Sequence, residues 1–518
     1  MPLAPITSPW LRSRHGLSAA LVLLAALLPA CDDAPATTPP DTLVIAMNAD
    51  TEGLDPHKVE GAQSYRILEN AHRTLLRYGA GLGTFEPDIA TDIEISEDGR
   101  TVTLRLDPAA QFGPDNPITA DDVVWSLQRI NDEGTRGSHL GPVESIGAAG
   151  PHTVVLRLAE PYAPLPSYLA HPMNAVLDRG AFEAAGGDFM VSDFGAGPYR
   201  VKGWRVGSEL LLERREGYNG PTPAQTPRLA YRPIADDTAK STAVRRGEVH
   251  LVHEVSPKHT VLLEEAEGIE VASVPGTWWD YLGLNTRQPP LDDPRVRRAI
   301  ALAIDRQDIV DAVFFGRATP LTAANLPPTH WAALPEPVYS HHADLDAARA
   351  LLAQAGLAGG FGLTLRFTTG YRDQAQAATM IKQQLRPLGI DVELQAMDFS
   401  ALVSRLNSGA FEAVLIGWAA QVDPDEYLYD LFHSDGPFNQ QGFDDAEVDR
   451  LLETGRTTFD RDARRRAYHA AQRRIAELAP MVFLYVRPQL TAVRDTVTGY
   501  DVHPTGTTRG AASATLAR

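Results

Sequence analysis

Cysteine is almost absent. It occurs once, at Cys31, so no disulfide can form within the chain and the fold must rest on packing alone. Lysine is scarce as well, confined to Lys58, Lys202, Lys240, Lys258 and Lys382, and the rest of the basic charge is arginine. Positive charge is in deficit overall: 47 basic residues face 66 acidic ones, for a net charge of −19. A body this acidic is a poor partner for nucleic acid or an anionic membrane, and its acidity says nothing about the charge of a ligand. Long apolar runs are missing apart from Leu17 to Leu28, about 12 residues where a membrane-spanning helix needs about 20. The signatures of catalysis are missing too. There is no GxSxG elbow and no phosphate-binding Walker loop. His253-Glu254 opens like the zinc motif HExxH, but Pro257 stands where the second histidine belongs. Gly79 to Gly83 reads as a turn, and His341-His342 as surface histidines rather than a metal site. The expectation is a protein that is not an enzyme and needs no cofactor or metal.

What is present begins with a targeting signal. Arg12, Arg14 and His15 form a basic segment, Leu17 to Leu28 an apolar one, and Leu28-Pro29-Ala30-Cys31 resembles a bacterial lipobox, in which the cysteine is lipidated and becomes the first residue. Residues 1–30 are then a lipoprotein signal peptide, Cys31 is the lipidation site, and residues 31–41, rich in proline, threonine and alanine, are a tether. The remaining length suits two or three domains, and 44% hydrophobic with 22% charged residues is the composition of a globular body.

The organising stretch is Thr277 to Gly316. Trp278 to Leu284 reads as a strand, Asn285 to Pro290 as a turn, and Asp293-Pro294 as the cap and first residue of a helix. Val296, Ile300, Ala303 and Ile304 recur on one face of that helix. Asp305 starts a second helix that Gly316 ends. Elsewhere Thr42 to Met47 and Thr101 to Leu106 read as strands. Thr119 caps a helix whose Asp121 and Asp122 favour its dipole and are not a catalytic pair. Asp346 to Gly356 (helix), Leu363 to Thr368 (strand), Ala375 to Leu388 (helix) and Ile390 to Gln395 (strand) predict an α/β lobe. Phe411 to Phe432 holds a buried strand ending at Gly417-Trp418, then a polar loop.

YLGLNTRQPPLDDPRVRRAIALAIDR resembles the segment leaving the hinge of the large solute-binding proteins of bacterial ABC importers, family 5, the peptide/nickel/opine group. GLDPHKVEGAQSYRILENAHRTLL, EPDIATDIEISEDGRTVTLRLDPAAQF, GAGPYRVKGW and ADDTAKSTAVRRGEVHLVHEVSP resemble other blocks of the same family, and the resemblance runs in order along about residues 42 to 505. The resemblance implies an α/β, two-lobed periplasmic-binding-protein fold of type II with a three-domain, cluster C architecture and a hinge between the lobes. The first lobe would take residues 42–76, 191–284 and 488–518, an extra domain 77–190, and the second lobe 285–487. It implies a lipid-anchored binding component in the periplasm or at the outer face of the cytoplasmic membrane. A monomer would close on a peptide or peptide-like solute and deliver it to a membrane permease and ATPase complex. Ligand contacts are implied for Glu60, Gly61, Ala62, Trp278, Trp279, Tyr281, Trp418, Gln421, Asp423 and Asn439. In peptide binders an acid two or three places after the tryptophan pairs with the peptide α-amine; here Ala420 and Gln421 stand there, and the first acid is Asp423. Asp423 is either a ligand anchor or the cap of the following helix. The departure resembles members assigned to glutathione-like or opine solutes, so an opine, a glutathione-like solute or a nickel or haem chelate is the alternative ligand, and a secreted hydrolase the remote alternative.

Overall fold

A computed structural model describes residues 39–135, 140–369, 371–419 and 422–517. The signal segment, Cys31, Ala420 and Gln421 therefore lie outside the described residues. None of the described helices is long and apolar enough to cross a membrane.

The backbone is organised by one mixed sheet of 11 strands. At one side Thr42–Met47 lies parallel to Arg228–Pro233 and to Leu251–His253, with Glu209–Arg214 and Tyr199–Arg205 extending the edge antiparallel. At the other side Gly362–Thr368 lies parallel to both Asp391–Met397 and Ala413–Ala419. Two long antiparallel strands, Ile269–Leu284 and Met481–Arg494, join the two sides and belong to both. Their pairing runs from Ile269↔Arg494 to Gly283↔Met481, with shifts between Pro275 and Trp279 and between Asp280 and Tyr281. The sheet therefore has two halves and one seam, the two-lobed arrangement expected.

Each half is covered on both faces. In the second lobe Val296, Ile300 and Ala303 of helix Pro294–Ala303, with Ile304 that caps its end, are all buried beside Leu282, Leu284, Leu365 and Leu415. The opposite face carries Trp279, Tyr281, Val414, Leu402 and Leu406. In the first lobe Leu43 and Ile45 point to one core and Val44 and Ala46 to the other, the period-2 alternation of a strand buried on both sides. A separate four-stranded antiparallel sheet, Ala90–Ile95, Thr101–Leu106, Thr153–Leu158 and Val143–Ala148, packs under helix Ala120–Glu133 around its own core of Val102, Leu104, Val123, Leu127 and Leu156.

Local signals explain the boundaries. Asp293 accepts from the Arg295 N–H at 2.8 Å with Pro294 at the first helical position. Thr119 and Asp122 form a reciprocal capping box. Asp305 caps Arg306–Phe314, and the helix stops at two left-handed residues, Phe315 (φ 55°) and the expected Gly316 (φ 75°), whose N–H donates to the Val310 carbonyl at 3.2 Å. The strand expected over Trp278 to Leu284 begins nine residues earlier, at Ile269. Ile269 to Pro275 pairs with the other crossing strand, a tertiary partner that local pattern does not reveal.

Candidate functional site

Strand direction places the site. The first lobe's parallel strands end at Met47, Pro233 and His253. The second lobe's parallel strands run the opposite way, because Ala413–Ala419 is antiparallel to Ile269–Leu284, and they end at Thr368, Met397 and Ala419. His253 pairs with Thr491, and Ala419 pairs with Trp278. Both sets of carboxyl ends thus converge on the seam between Ala272 and Trp278, opposite Arg487 to Thr491. The crevice outside the carboxyl ends of parallel strands is where open α/β sheets hold ligands.

On the second-lobe side the crevice is aromatic. Trp278 is 38% exposed, and Tyr371, Phe399 and Phe438 are exposed as well. Tyr371 and Phe399 begin the segments after two of the strand ends, and Phe438 packs 4.8 Å from the Trp418 ring. Gly417 makes room for Trp278: a Cβ at 417 would lie 2.2 Å from the indole Nε1. The Arg487 guanidinium sits over the Trp278 ring, 5.4 Å from its centre. Arg487 donates to both oxygens of the fully buried Asp280, at 2.5 and 2.8 Å, and pairs with Asp373 at 2.5 Å. Burial works against the Arg487 charge, but the two carboxylates overcome it and hold the guanidinium charged. The seam is therefore fixed by a half-buried ion triad around the buried Asp280, which would be left uncompensated if Arg487 were lost.

On the first-lobe side the chain leaves Leu251–His253 through Glu254, whose φ of 57° is left-handed. Its carboxylate accepts from Asn48 Nδ2 at 2.8 Å, from Gln63 Nε2 at 2.7 Å and from Arg66. Burial alone would raise its pKa, but the Arg66 charge and these donors bring it down to about 2. Arg66 also donates to the Thr505 carbonyl, and a Cβ on Gly506 would meet its Nη2 at 2.5 Å, so the C-terminal segment closes over the same ion pair.

Direct contacts also tie the second lobe to the segment of residues 83–167 and to the first lobe. Ser167 donates to Glu426 at 3.0 Å, and the Ala163 N–H donates to the Arg456 carbonyl at 2.8 Å. Arg317 donates to Glu264 at 2.8 and 2.6 Å. Gly83, φ 74°, lies so close to Trp331 and Val422 that a Cβ would fall 2.2 Å from the Trp331 Nε1.

The expected ligand contacts are scattered by this geometry. Trp278 and Trp418 lie at the crevice. Trp279 and Tyr281 do not: both are buried in the second-lobe core, with rings 4.8 Å apart. Asp423 is buried, caps Pro424–Phe432 by accepting from the Asp425 N–H at 3.0 Å, and takes Arg464 Nη2 at 2.7 Å. Of its two readings the cap is the one realised. Asn439 braces its own loop, bonded to the His433 and Phe443 carbonyls and to the Phe443 N–H. The Glu60 and Gly61 N–H groups are taken by the Glu52 carboxylate at 2.7 and 3.1 Å, ahead of helix Ala62–Leu68. Sequence reasoning missed Asp280 and Arg487. The signal was there, since Asp280 interrupts the apolar run Trp278 to Leu284 and Arg487 follows the apolar run Met481 to Val486, and a charge placed there must find a partner. Among the described residues no group of three histidine, cysteine or acidic side chains is placed to hold a metal.

Comparison with known proteins gives a consistent answer. Residues 84–439 match the bacterial extracellular solute-binding proteins, family 5, middle region. The chain is 26% identical to the glutathione-binding protein GsiB of Escherichia coli strain K12, over 95% of this chain and 96% of that one. It superposes on the periplasmic binding protein DppA of Helicobacter pylori, in complex with the peptide STSA, with a TM-score of 0.76, 26% identity, and coverage of 92% and 98%. It superposes equally on the binding protein AgaA of A. tumefaciens R10, in complex with agropinic acid, with a TM-score of 0.75, 26% identity, and coverage of 92% and 99%.

Proposed function

The chain belongs to the bacterial extracellular solute-binding proteins of family 5, and from that premise we propose that it captures a peptide-like solute between its lobes and hands it to a membrane ABC permease. As a member of that family it is a binding protein rather than an enzyme. The observation that carries the reading is the convergence of both lobes' strand ends on one seam. An exposed indole lies there, and charged groups flank it that are already paired and so ready to orient a polar solute without first reorganising. A solute seated there touches both lobes at once, so its binding favours the closed arrangement over an open one.

The solute class follows from the carboxylates. The first acid after Trp418 in sequence is Asp423, and it is spent on a helix cap and on Arg464. A free α-amine buried in the crevice would lack the acid that simple peptide binders use, and an unpaired buried ammonium is costly. The reading is therefore a peptide-like solute whose amine is blocked, substituted or left in water. An opine-type solute is the second reading, favoured by this same loop and by the likeness to the agropinic acid binder. Native mass spectrometry of the purified protein, followed by calorimetry with free-amine peptides, N-acylated peptides, glutathione and opines, tests both. Tight binding of simple free-amine peptides, undiminished in Asp423→Asn and Glu60→Gln, would overturn the solute class.

Anchoring at Cys31 belongs to the same proposal. Cys31→Ser is expected to move the protein from the membrane to the soluble fraction, read by fractionation. Retention on the membrane with normal processing of the precursor would count against a lipid anchor.

A further inference from the structure

Residues 83–167 meet the second lobe at three points, none of them on the strands that join the lobes. Two of the points are hairpin turns with a left-handed glycine. Gly83, φ 74°, lies between strands Leu76–Tyr78 and Phe85–Pro87, and Gly99, φ 68°, between Ala90–Ile95 and Thr101–Leu106. A Cβ at Gly83 would collide with the Trp331 indole and fall 3.2 Å from the Val422 carbonyl oxygen, both on the second lobe. A Cβ at Gly99 would fall 2.7 Å from the Phe459 ring, also on the second lobe. Each turn is a socket for an aromatic ring, and the missing side chain is what lets the ring in. The third point is the entrance to helix Leu165–Leu169, where the Ala163 N–H donates to the Arg456 carbonyl at 2.8 Å and the Arg456 guanidinium lies 5.7 Å from the centre of the Tyr162 ring.

Both sides of this contact are braced within their own part of the molecule. Arg461 and Arg464 lie over the Trp331 ring, at 4.9 and 5.6 Å from its centre. Arg456 donates to Asp425 at 3.1 and 2.5 Å and stacks on Tyr429, 3.2 Å from the ring centre. On the other side His503 Nε2 lies 2.9 Å from the Gly79 carbonyl oxygen, which ties the Gly83 turn to the C-terminal segment. Every group in the contact is protein, so it forms with or without a solute. Swinging the second lobe about Ile269–Leu284 and Met481–Arg494 pulls all three points apart. We propose that residues 83–167 are a latch, in which the sockets at Gly83 and Gly99 and the hydrogen bond from Ala163 to Arg456 hold the second lobe closed before a solute arrives. The latch rests on the two-lobed closure read above and adds what sets its balance. Affinity for a protein that is binding-competent for only a fraction of the time falls by that fraction, so the latch spares the solute part of the work of closing.

The test uses the full chain carrying Cys31→Ser, freed of retained solute by unfolding and refolding, with spin labels on Glu97→Cys and Asp462→Cys, both exposed. Pulsed electron–electron resonance without solute is expected to resolve a short-distance, closed population. Gly83→Asn should lower that population at least about threefold, because asparagine tolerates the left-handed backbone while its side chain meets Trp331. Phe459→Ala empties the socket at Gly99 without touching the backbone and should lower it at least about twofold. Thr119→Ala loosens the same segment away from the latch and should leave the distances unchanged. A solute-free protein that is wholly open without these substitutions overturns the proposal. So does either latch variant, folded by circular dichroism, that keeps the original distances, and so does Thr119→Ala opening to the same extent. Should Gly83→Asn fail to fold, Phe459→Ala decides alone. No solute enters the measurement, so its outcome stands apart from that of the solute class.

Discussion

Trp278 and Trp279 are neighbours in the chain with opposite surroundings. Trp278 lies at the crevice under Arg487, and Trp279 is sealed between Tyr281 and Phe483 in the core. Trp278→Ala is expected to weaken solute binding at least tenfold in calorimetry while changing stability by less than about 1 kcal/mol, as for an exposed side chain. Trp279→Ala is expected to cost roughly 3–5 kcal/mol in denaturant unfolding, the range for emptying a large buried aromatic site. The reverse pattern would show that the crevice has been assigned to the wrong strand face. Asp423 and Arg464 are both buried, so Asp423→Asn leaves a guanidinium without its charge partner, and roughly 3–5 kcal/mol of stability should go with it. Solute affinity, measured below the new unfolding transition, should stay within a few fold. A large and selective loss of affinity would return Asp423 to the role of ligand anchor.

Among the elements, the strand Ala413–Ala419 has the narrowest tolerance. Its Gly417 lies beneath the Trp278 indole, and a methyl group there collides with the ring. Gly417→Ala should displace Trp278, costing about 1–3 kcal/mol as an overpacked site and lowering solute affinity along with it. Restored affinity in Gly417→Ala combined with Trp278→Phe would tie the two effects to one contact. Helix Ala120–Glu133 provides a control remote from the crevice. Thr119→Ala opens the capping box and should cost about 0.5–2 kcal/mol with no change in affinity.

Across the whole molecule, acid sensitivity is built into the histidines. His57, His72, His253 and His330 are buried, and burial lowers each pKa from 6.5 to about 4. The unfolded chain binds protons at these positions between about pH 6.5 and 4, and the folded chain does not. These histidines therefore lower stability as pH drops through that window, each taking up as much as one proton on unfolding, while Asp430, whose pKa burial pushes up to about 7, offsets part of the loss. Glu254 adds to the loss at lower pH. Its folded pKa of about 2 lies below the ordinary glutamate value of 4.5, so its contribution is complete above about 4.5 and disappears as pH falls towards 2. Tm recorded from pH 7.5 to 3.5 should decline most steeply between about pH 6 and 4.5 and less steeply below about 4, where the folded histidines take up protons too and Glu254 sustains the remaining loss. A flat profile between 6.5 and 4.5 would mean that the buried histidines are not neutral in the fold.

Much of this molecule is local and was legible in the chain. The strands Thr42–Met47 and Thr101–Leu106, the caps at Thr119, Asp293 and Asp305, and the apolar face Val296–Ile300–Ile304 follow from alternation, capping chemistry and helical period, each set by residues a few places apart. The matched segments, in their order, were enough to reach the family. The assignment of particular side chains to the crevice was not local. A strand buried on both faces hides which face meets a ligand, so Trp278, Trp279 and Tyr281 looked alike until the pairing of Trp278 with Ala419 and the shifts beside it set their directions. Asp423 could cap or bind, and only Arg464, 41 residues along the chain, decided between them. The seam itself depends on Arg487 meeting Asp280 across 207 residues. Sequence by itself determined which segments become strands and helices, because those choices are made by neighbours. The tertiary structure alone decided which charges are spent on one another and which surface is left for a solute, because burial and pairing are properties of residues that only folding brings together.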